Sequence, residues 1–164
     1  MMAAVTRRYR FSASHRLHTE ALSEAENARV FGKCNNPYGH GHNYQLEITV
    51  RGDVSSETGL VLSMVALDHY VFRTVLREFD GKNLNLDIPE FRSLVPTTEN
   101  LTQIIAERMA ASWEEEFGSG GAHMARIHVQ ETERNGFELL LPTRSQTESL
   151  GEVIFASLEY SGRK

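Results

Sequence analysis

The sequence predicts an α+β fold, a four-stranded antiparallel sheet with two helices on one face. Three observations carry this. Strand-like and helix-like patterns come in runs, in the order strand, strand, helix, helix, strand, strand. Tyr44, Leu46, Ile48 and Val50 alternate with Gln45, Glu47, Thr49 and Arg51, the period of a half-buried strand. The last two apolar segments flank Asn135-Gly136, a type I′ hairpin signal.

The elements follow in chain order. Val5 to Leu17 alternates, so Phe11, Ala13 and His15 share one face of a strand. Thr19 to Arg29 is polar and mixed, and reads as a loop with one helical turn at most. Gly32 to Gly41 is turn-rich, with Asn35-Asn36-Pro37 and three glycines. The central strand around Tyr44–Val50 follows, and Gly52 to Gly59 connects it onward. Ser63 caps a helix running to about Phe79, with Val65, Phe72, Val75, Leu76 and Phe79 along one stripe. Asp80 to Pro96 is a long loop, and loops of that length in compact domains are often functional. Thr98 caps a second helix that buries Leu101, Ile104, Ile105, Met109 and Trp113 and stops at Gly118-Ser119-Gly120-Gly121. Met124 to Thr132 and Phe137 to Leu141 close the sheet. Beyond Pro142 the chain is polar, with a short amphipathic pattern over Gln146 to Leu158. The expected organisation is one domain over residues 1–141 and a tail over 142–164 of unassigned role. With both helices on one face, the other face of the sheet needs a cover, and a partner subunit is the simplest one.

Composition bounds the function. The 164 residues make one domain. Seventeen Lys and Arg against twenty-two Asp and Glu leave a net charge of −5, which argues against nucleic-acid and anionic-membrane partners. No run approaches the ~18 apolar residues of a membrane span. No apolar stretch follows Arg7-Arg8, as a secretory signal requires. The single cysteine, Cys34, excludes an internal disulfide and suits a reducing compartment, so a cytoplasmic protein is expected.

The histidines carry the chemistry. Four of the seven fall between positions 15 and 42. In His40-Gly41-His42, residues i and i+2 of a strand point to one face, so both imidazoles can reach one ion, and His15 on a separate strand can supply a third. Three neutral imidazoles leave a tetrahedral Zn2+ with an open position, the catalytic arrangement. The bland alternative is hydrogen-bonded surface histidines. Cys34 lies in a constrained polar turn. It is either a packing residue or, beside a cation that lowers its pKa, a base or nucleophile. Glu131 follows Ile127 and Val129 on one strand face and should point inward, where a ligand's N–H groups would serve as its partner; the bland alternatives are that it sits at a rim or pairs with an Arg. Asp80 opens the long loop.

Phe11-Ser12-Ala13-Ser14-His15-Arg16-Leu17-His18 and Phe31-Gly32-Lys33-Cys34-Asn35-Asn36-Pro37-Tyr38-Gly39-His40-Gly41-His42-Asn43-Tyr44 closely resemble the 6-pyruvoyl-tetrahydropterin synthase family. Gly59-Leu60-Val61, Lys82-Asn83-Leu84-Asn85-Leu86-Asp87, Thr97-Thr98-Glu99-Asn100 and Glu131-Thr132 continue the match to about residue 141. The resemblance implies the tetrahydrobiopterin-biosynthesis type fold, assembled as a trimer or as a hexamer of two stacked trimers. It implies a lyase that eliminates triphosphate from 7,8-dihydroneopterin triphosphate with internal hydrogen shifts and no external redox cofactor. It assigns His15, His40 and His42 to zinc, Cys34 to the general base and Glu131 to the carboxylate that anchors the pterin. Thr97 and Thr98 match positions near the pterin pocket, and Asp80 the aspartate of an Asp-His relay pair. Here the histidine of that pair is replaced by Gly81, which has no side-chain proton to give. Two further readings follow. One is the bacterial relative that makes 6-carboxy-tetrahydropterin, which the spacing from Cys34 to His40 disfavours. The other is a zinc- and pterin-binding homologue with weakened catalysis, against which the presence of Cys34 argues.

Overall fold

The computed structural model describes residues 1–119 and 121–142. The Gln146–Leu158 segment lies outside the described residues.

β1 (Met2–His15) buries Phe11, Ala13 and His15 on one face, as its alternation requires. α1 (Glu24–Phe31) then occupies the segment expected to be loop. Ser23 and Glu26 close a capping box: the Ser23 hydroxyl accepts from the Glu26 N–H at 3.3 Å and the Glu26 carboxylate accepts from the Ser23 N–H at 2.9 Å. What seats this polar helix is an amide rather than an apolar stripe. Asn27 is fully buried, donates to the carbonyls of Thr19, Leu22 and Ser23, and accepts from the Thr19 N–H. A 3₁₀ turn, Gly32–Asn35, carries Cys34 towards β2 (His40–Asp53), which buries Tyr44, Leu46, Ile48 and Val50.

α2 (Met64–Val71) starts at Ser63, whose hydroxyl accepts from the Ala66 N–H. It passes through one π-type turn, Phe72–Leu76, into α3 (Arg77–Phe79). The wider turn changes the helical phase, so the single stripe expected from Val65 to Phe79 does not hold. Leu67, Tyr70, Val71, Val75 and Phe79 are buried, while Val65 and Phe72 face solvent.

The expected Asp80–Pro96 loop is structured. β3 (Lys82–Asn83) adds a parallel edge beside Ala13 and Ser14 of β1. Asn83 then caps α4 (Leu84–Asp87), and a 3₁₀ turn follows over Pro89–Arg92. α5 (Thr98–Phe117) is capped by Thr97 rather than Thr98, the Thr97 hydroxyl accepting from the Asn100 N–H at 3.2 Å. Its buried side is the one expected: Leu101, Ile104, Ile105, Met109 and Trp113.

β4 (His123–Thr132) and β5 (Asn135–Leu140) complete a sheet of order β3-β1-β2-β4-β5. The four antiparallel strands are those expected, and β3 is the addition. The last hairpin differs from the expected one. Thr132 pairs with Asn135, so the turn residues are Glu133 and Arg134. A type I′ turn at Asn135-Gly136 would need positive φ at both residues, and neither has it. The cause is a bulge: Gln130 faces Gly136 and Thr132 faces Asn135, which leaves Glu131 as an extra residue on β4.

The helices cover the face that holds the core. The opposite face is largely polar and is crossed by ion pairs. Arg8 Nε lies 2.8 Å from Glu47 Oε1, and Arg126 joins Glu47 to Glu138. Such a face needs no apolar cover, so the expectation of a partner subunit rests on the family resemblance alone. Among the described residues no helix is long and apolar enough to cross a membrane.

Candidate functional site

The β1–β2 register sets His15 opposite His40, and the two-residue period of β2 puts His42 on the same face. The three imidazoles therefore converge. Their ring centroids are 4.8 Å (His15–His40), 5.0 Å (His15–His42) and 4.7 Å (His40–His42) apart. His15 is held from behind. Its Nδ1 lies 2.8 Å from the Pro96 carbonyl oxygen. A carbonyl only accepts, so Nδ1 carries the hydrogen and Nε2 presents its lone pair to the other two rings. Nε2 is 3.3 Å from His40 Nε2.

Glu131 enters from β4. Its Oε1 is 3.6 Å from His15 Nε2 and 3.8 Å from His42 Nε2. Its Oε2 accepts from Asn135 Nδ2 at 2.9 Å, and the same amide reaches Thr98 Oγ1 at 3.3 Å. Tyr44 lies beneath, stacked on Phe11, with its hydroxyl 3.5 Å from His15 Nδ1. Burial pushes its phenol far above the usual range, with the Glu131 charge adding to the effect.

These residues fit a divalent cation. His42 Nε2 is buried without a hydrogen-bond partner, and an orphaned polar atom facing imidazoles and a carboxylate is costly unless an ion satisfies it. Two ligand sets share His15: His15–Cys34–His40 and His15–His42–Glu131, the ligand atoms in each lying within 4.8 Å of one another. Burial lowers the pKa of His15 and of His42 despite the Glu131 charge, which favours the neutral imidazole a metal requires.

Cys34 stands beside His40, His42, Glu131 and Thr132 on the wall of a cavity of about 700 Å³. Burial, and after it the Glu131 carboxylate, push its thiol above the ordinary range. The two expectations for Cys34 are a packing residue and a base beside a cation that lowers its pKa; the chain's own side chains supply no such lowering.

The remaining candidates are placed as follows. Thr98 is buried and joins the Glu131 end of the site through Asn135, and the Thr97 hydroxyl accepts the capping bond from the Asn100 N–H, its own hydrogen left to donate. Asp80 Oδ1 accepts from the Ser12 N–H at 2.7 Å, outside the histidine cluster. Gly81 adopts φ +71° and donates its N–H to the Ser12 carbonyl at 2.7 Å. His18 hydrogen-bonds Arg16 and Asn35 and holds the loop rather than the cluster. Sequence reasoning missed three contributors: the Pro96 carbonyl, Tyr44 and Asn135. Only Tyr44 had a signal, as the next inward residue of the strand after His40 and His42.

Comparison with known proteins identifies the family. The family model described as 6-pyruvoyl tetrahydropterin synthase matches residues 4–143. The 6-pyruvoyl tetrahydrobiopterin synthase of Poecilia reticulata is 44% identical over 131 residues, covering 80% of this chain and 85% of its own. That of Homo sapiens is 46% identical over 107 residues, covering 65% and 74%. The solved 6-pyruvoyl tetrahydropterin synthase of Caenorhabditis elegans superposes with a TM-score of 0.78 at 33% identity, over 87% of this chain and 97% of that one. The Plasmodium vivax structure, at 15% identity and a TM-score of 0.62, shares the fold. A matching family model over most of the length, close relatives and a common fold agree, and the chain belongs to the 6-pyruvoyl tetrahydropterin synthase family.

Proposed function

We propose that this chain is a zinc-dependent synthase that converts 7,8-dihydroneopterin triphosphate into 6-pyruvoyl-tetrahydropterin. Family membership makes it a carbon–oxygen lyase acting on phosphates. The observation that carries the finer reading is the convergence of the His15, His40 and His42 rings beside a cavity lined by Cys34, His40, His42 and Glu131.

In this reading His15, His40 and His42 would hold the metal, which would supply an electrophile for the oxygens of the substrate side chain. Bound zinc supplies a Lewis acid that acidifies the adjacent C–H bonds, and a positive charge that draws the Cys34 thiol back towards thiolate. Cys34 takes a proton from the side chain, the C–O bond to triphosphate breaks, and hydrogens shift internally without an external redox partner. Glu131 accepts hydrogen bonds from the pterin N–H groups, and Thr98 completes that end of the pocket. Asp80 keeps its family position but stands beside Gly81, so half of the relay is missing from the chain itself. That one observation favours a second reading, a zinc- and pterin-binding homologue with weakened turnover. A 6-carboxy-tetrahydropterin product is the third. Assembly as a trimer or hexamer and a cytoplasmic location complete the proposal.

Triphosphate release by chelated protein and by zinc-restored protein tests it. Release that appears only with zinc supports the synthase. Equal release in both states removes the metal from the reaction.

A further inference from the structure

Glu131 stands outside the strand pairing of β4. It is the extra residue of the β4 bulge, so no residue of β5 stands opposite it. Its carboxylate nevertheless has a defined direction, with Oε1 towards His15 and His42 and Oε2 on Asn135.

We propose that Asn135 is the positioning residue of this site, aiming Glu131 at the pterin by tying it to the first turn of α5. The inference rests on the reading of Glu131 as the pterin anchor. A carboxylate only accepts, so the Asn135 NH₂ group, not its carbonyl, faces Glu131. One hydrogen goes to Glu131 Oε2 at 2.9 Å and the other to Thr98 Oγ1 at 3.3 Å. Thr98 is a firm post: it is 4% exposed, and its carbonyl accepts from Thr102 Oγ1 at 2.7 Å. With Oε2 engaged, Oε1 is kept pointing into the histidine cluster. The hairpin register makes this possible. The turn at Glu133-Arg134 puts Asn135 in the strand opposite Thr132, beside the bulged residue. Had Asn135-Gly136 formed the turn, the amide would have stood at the tip.

The test is a double-mutant cycle on the zinc-loaded protein, read by fluorescence titration with 7,8-dihydroneopterin and by the split between KM and kcat. Asn135→Ala should weaken pterin binding about fivefold, the scale of one ordinary hydrogen bond, and raise KM more than it lowers kcat. Asn135→Asp should be worse than Asn135→Ala, because it sets carboxylate against carboxylate. In a Glu131→Ala background the Asn135→Ala effect should vanish. Equal Asn135→Ala losses in both backgrounds would make the residue a structural hairpin contact and overturn the proposal. Parent-like binding by Asn135→Ala, with binding lost in Glu131→Ala, overturns it and leaves the anchor reading standing. Parent-like binding by Glu131→Ala sinks the anchor reading, and the positioning role with it.

Discussion

The His15 Nδ1–H donates to the Pro96 carbonyl oxygen at 2.8 Å, so a loop residue eighty-one positions away sets the tautomer of a β1 histidine. The opposite nitrogen is thereby committed to the cluster with His40, His42 and Glu131. The orphaned His42 Nε2 points to the same place. Together these groups offer ligand atoms that suit a cation.

His15→Ala should therefore lower zinc affinity by at least about 10²-fold, beyond the range typical of an outer-shell partner. Competition with a chromophoric chelator reads this directly. Parent-like affinity in the variant would remove His15 from the ligand set.

Zinc should also stabilise the fold. At a free concentration 100 times its Kd, a ligand that binds only the native state adds about 2.7 kcal/mol. Thermal melts with and without zinc should show this rise in Tm for the parent and not for His42→Ala. An equal rise in both would place the ion elsewhere.

Cys34→Ala should reduce turnover by roughly 10²–10⁴-fold while zinc content and pterin binding stay at the parent level. Steady-state kinetics with metal analysis of the same samples separates these effects. An unchanged rate would mean that another group takes the proton.

Gly81→His probes the missing half of the relay. A Cβ built at Gly81 meets nothing within 4 Å, but φ is +71°. Space is therefore free and backbone conformation is not. The expected cost is about 1–2 kcal/mol of stability, with kcat rising about tenfold or more as a general acid–base returns. A lower kcat in a folded variant would show that this position plays no part in proton transfer.

Glu47 links stability to pH. Partial burial raises its carboxyl pKa, but Arg126 and Arg8 outweigh this and hold it below the ordinary 4.5. A depressed carboxyl contributes stability that is intact above the ordinary value and lost as pH falls through the folded value. Glu47→Gln should thus cost about 1–2 kcal/mol at pH 7 and progressively less as the pH falls below about 4.5. A deficit of constant size across that range would contradict the assignment.

What the sequence made legible follows the range of the forces involved. β1, β2, β4 and β5 were readable because alternation is local, and α5 because its apolar stripe is regular. α1 was missed because its seat is one buried amide, Asn27, in a polar segment. The two residues of β3 exist only through pairing with β1, and the β4 bulge only through its register with β5. The site shows the same division. His15, His40 and His42 stand out by residue type and spacing, Cys34 and Glu131 take their roles from the family resemblance, and the fold gathers the five into two ligand groups that share His15. The Pro96 carbonyl has no side-chain signature, and Asn135 imitates a turn residue until the bulge is known.

Zinc-loaded protein is incubated anaerobically with 7,8-dihydroneopterin triphosphate, and triphosphate release and the pterin product are followed together. A synthase of this kind should release triphosphate and 6-pyruvoyl-tetrahydropterin in equal amounts, more slowly than with a histidine at position 81. Tight pterin binding with neither product formed would contradict it and leave a zinc- and pterin-binding homologue.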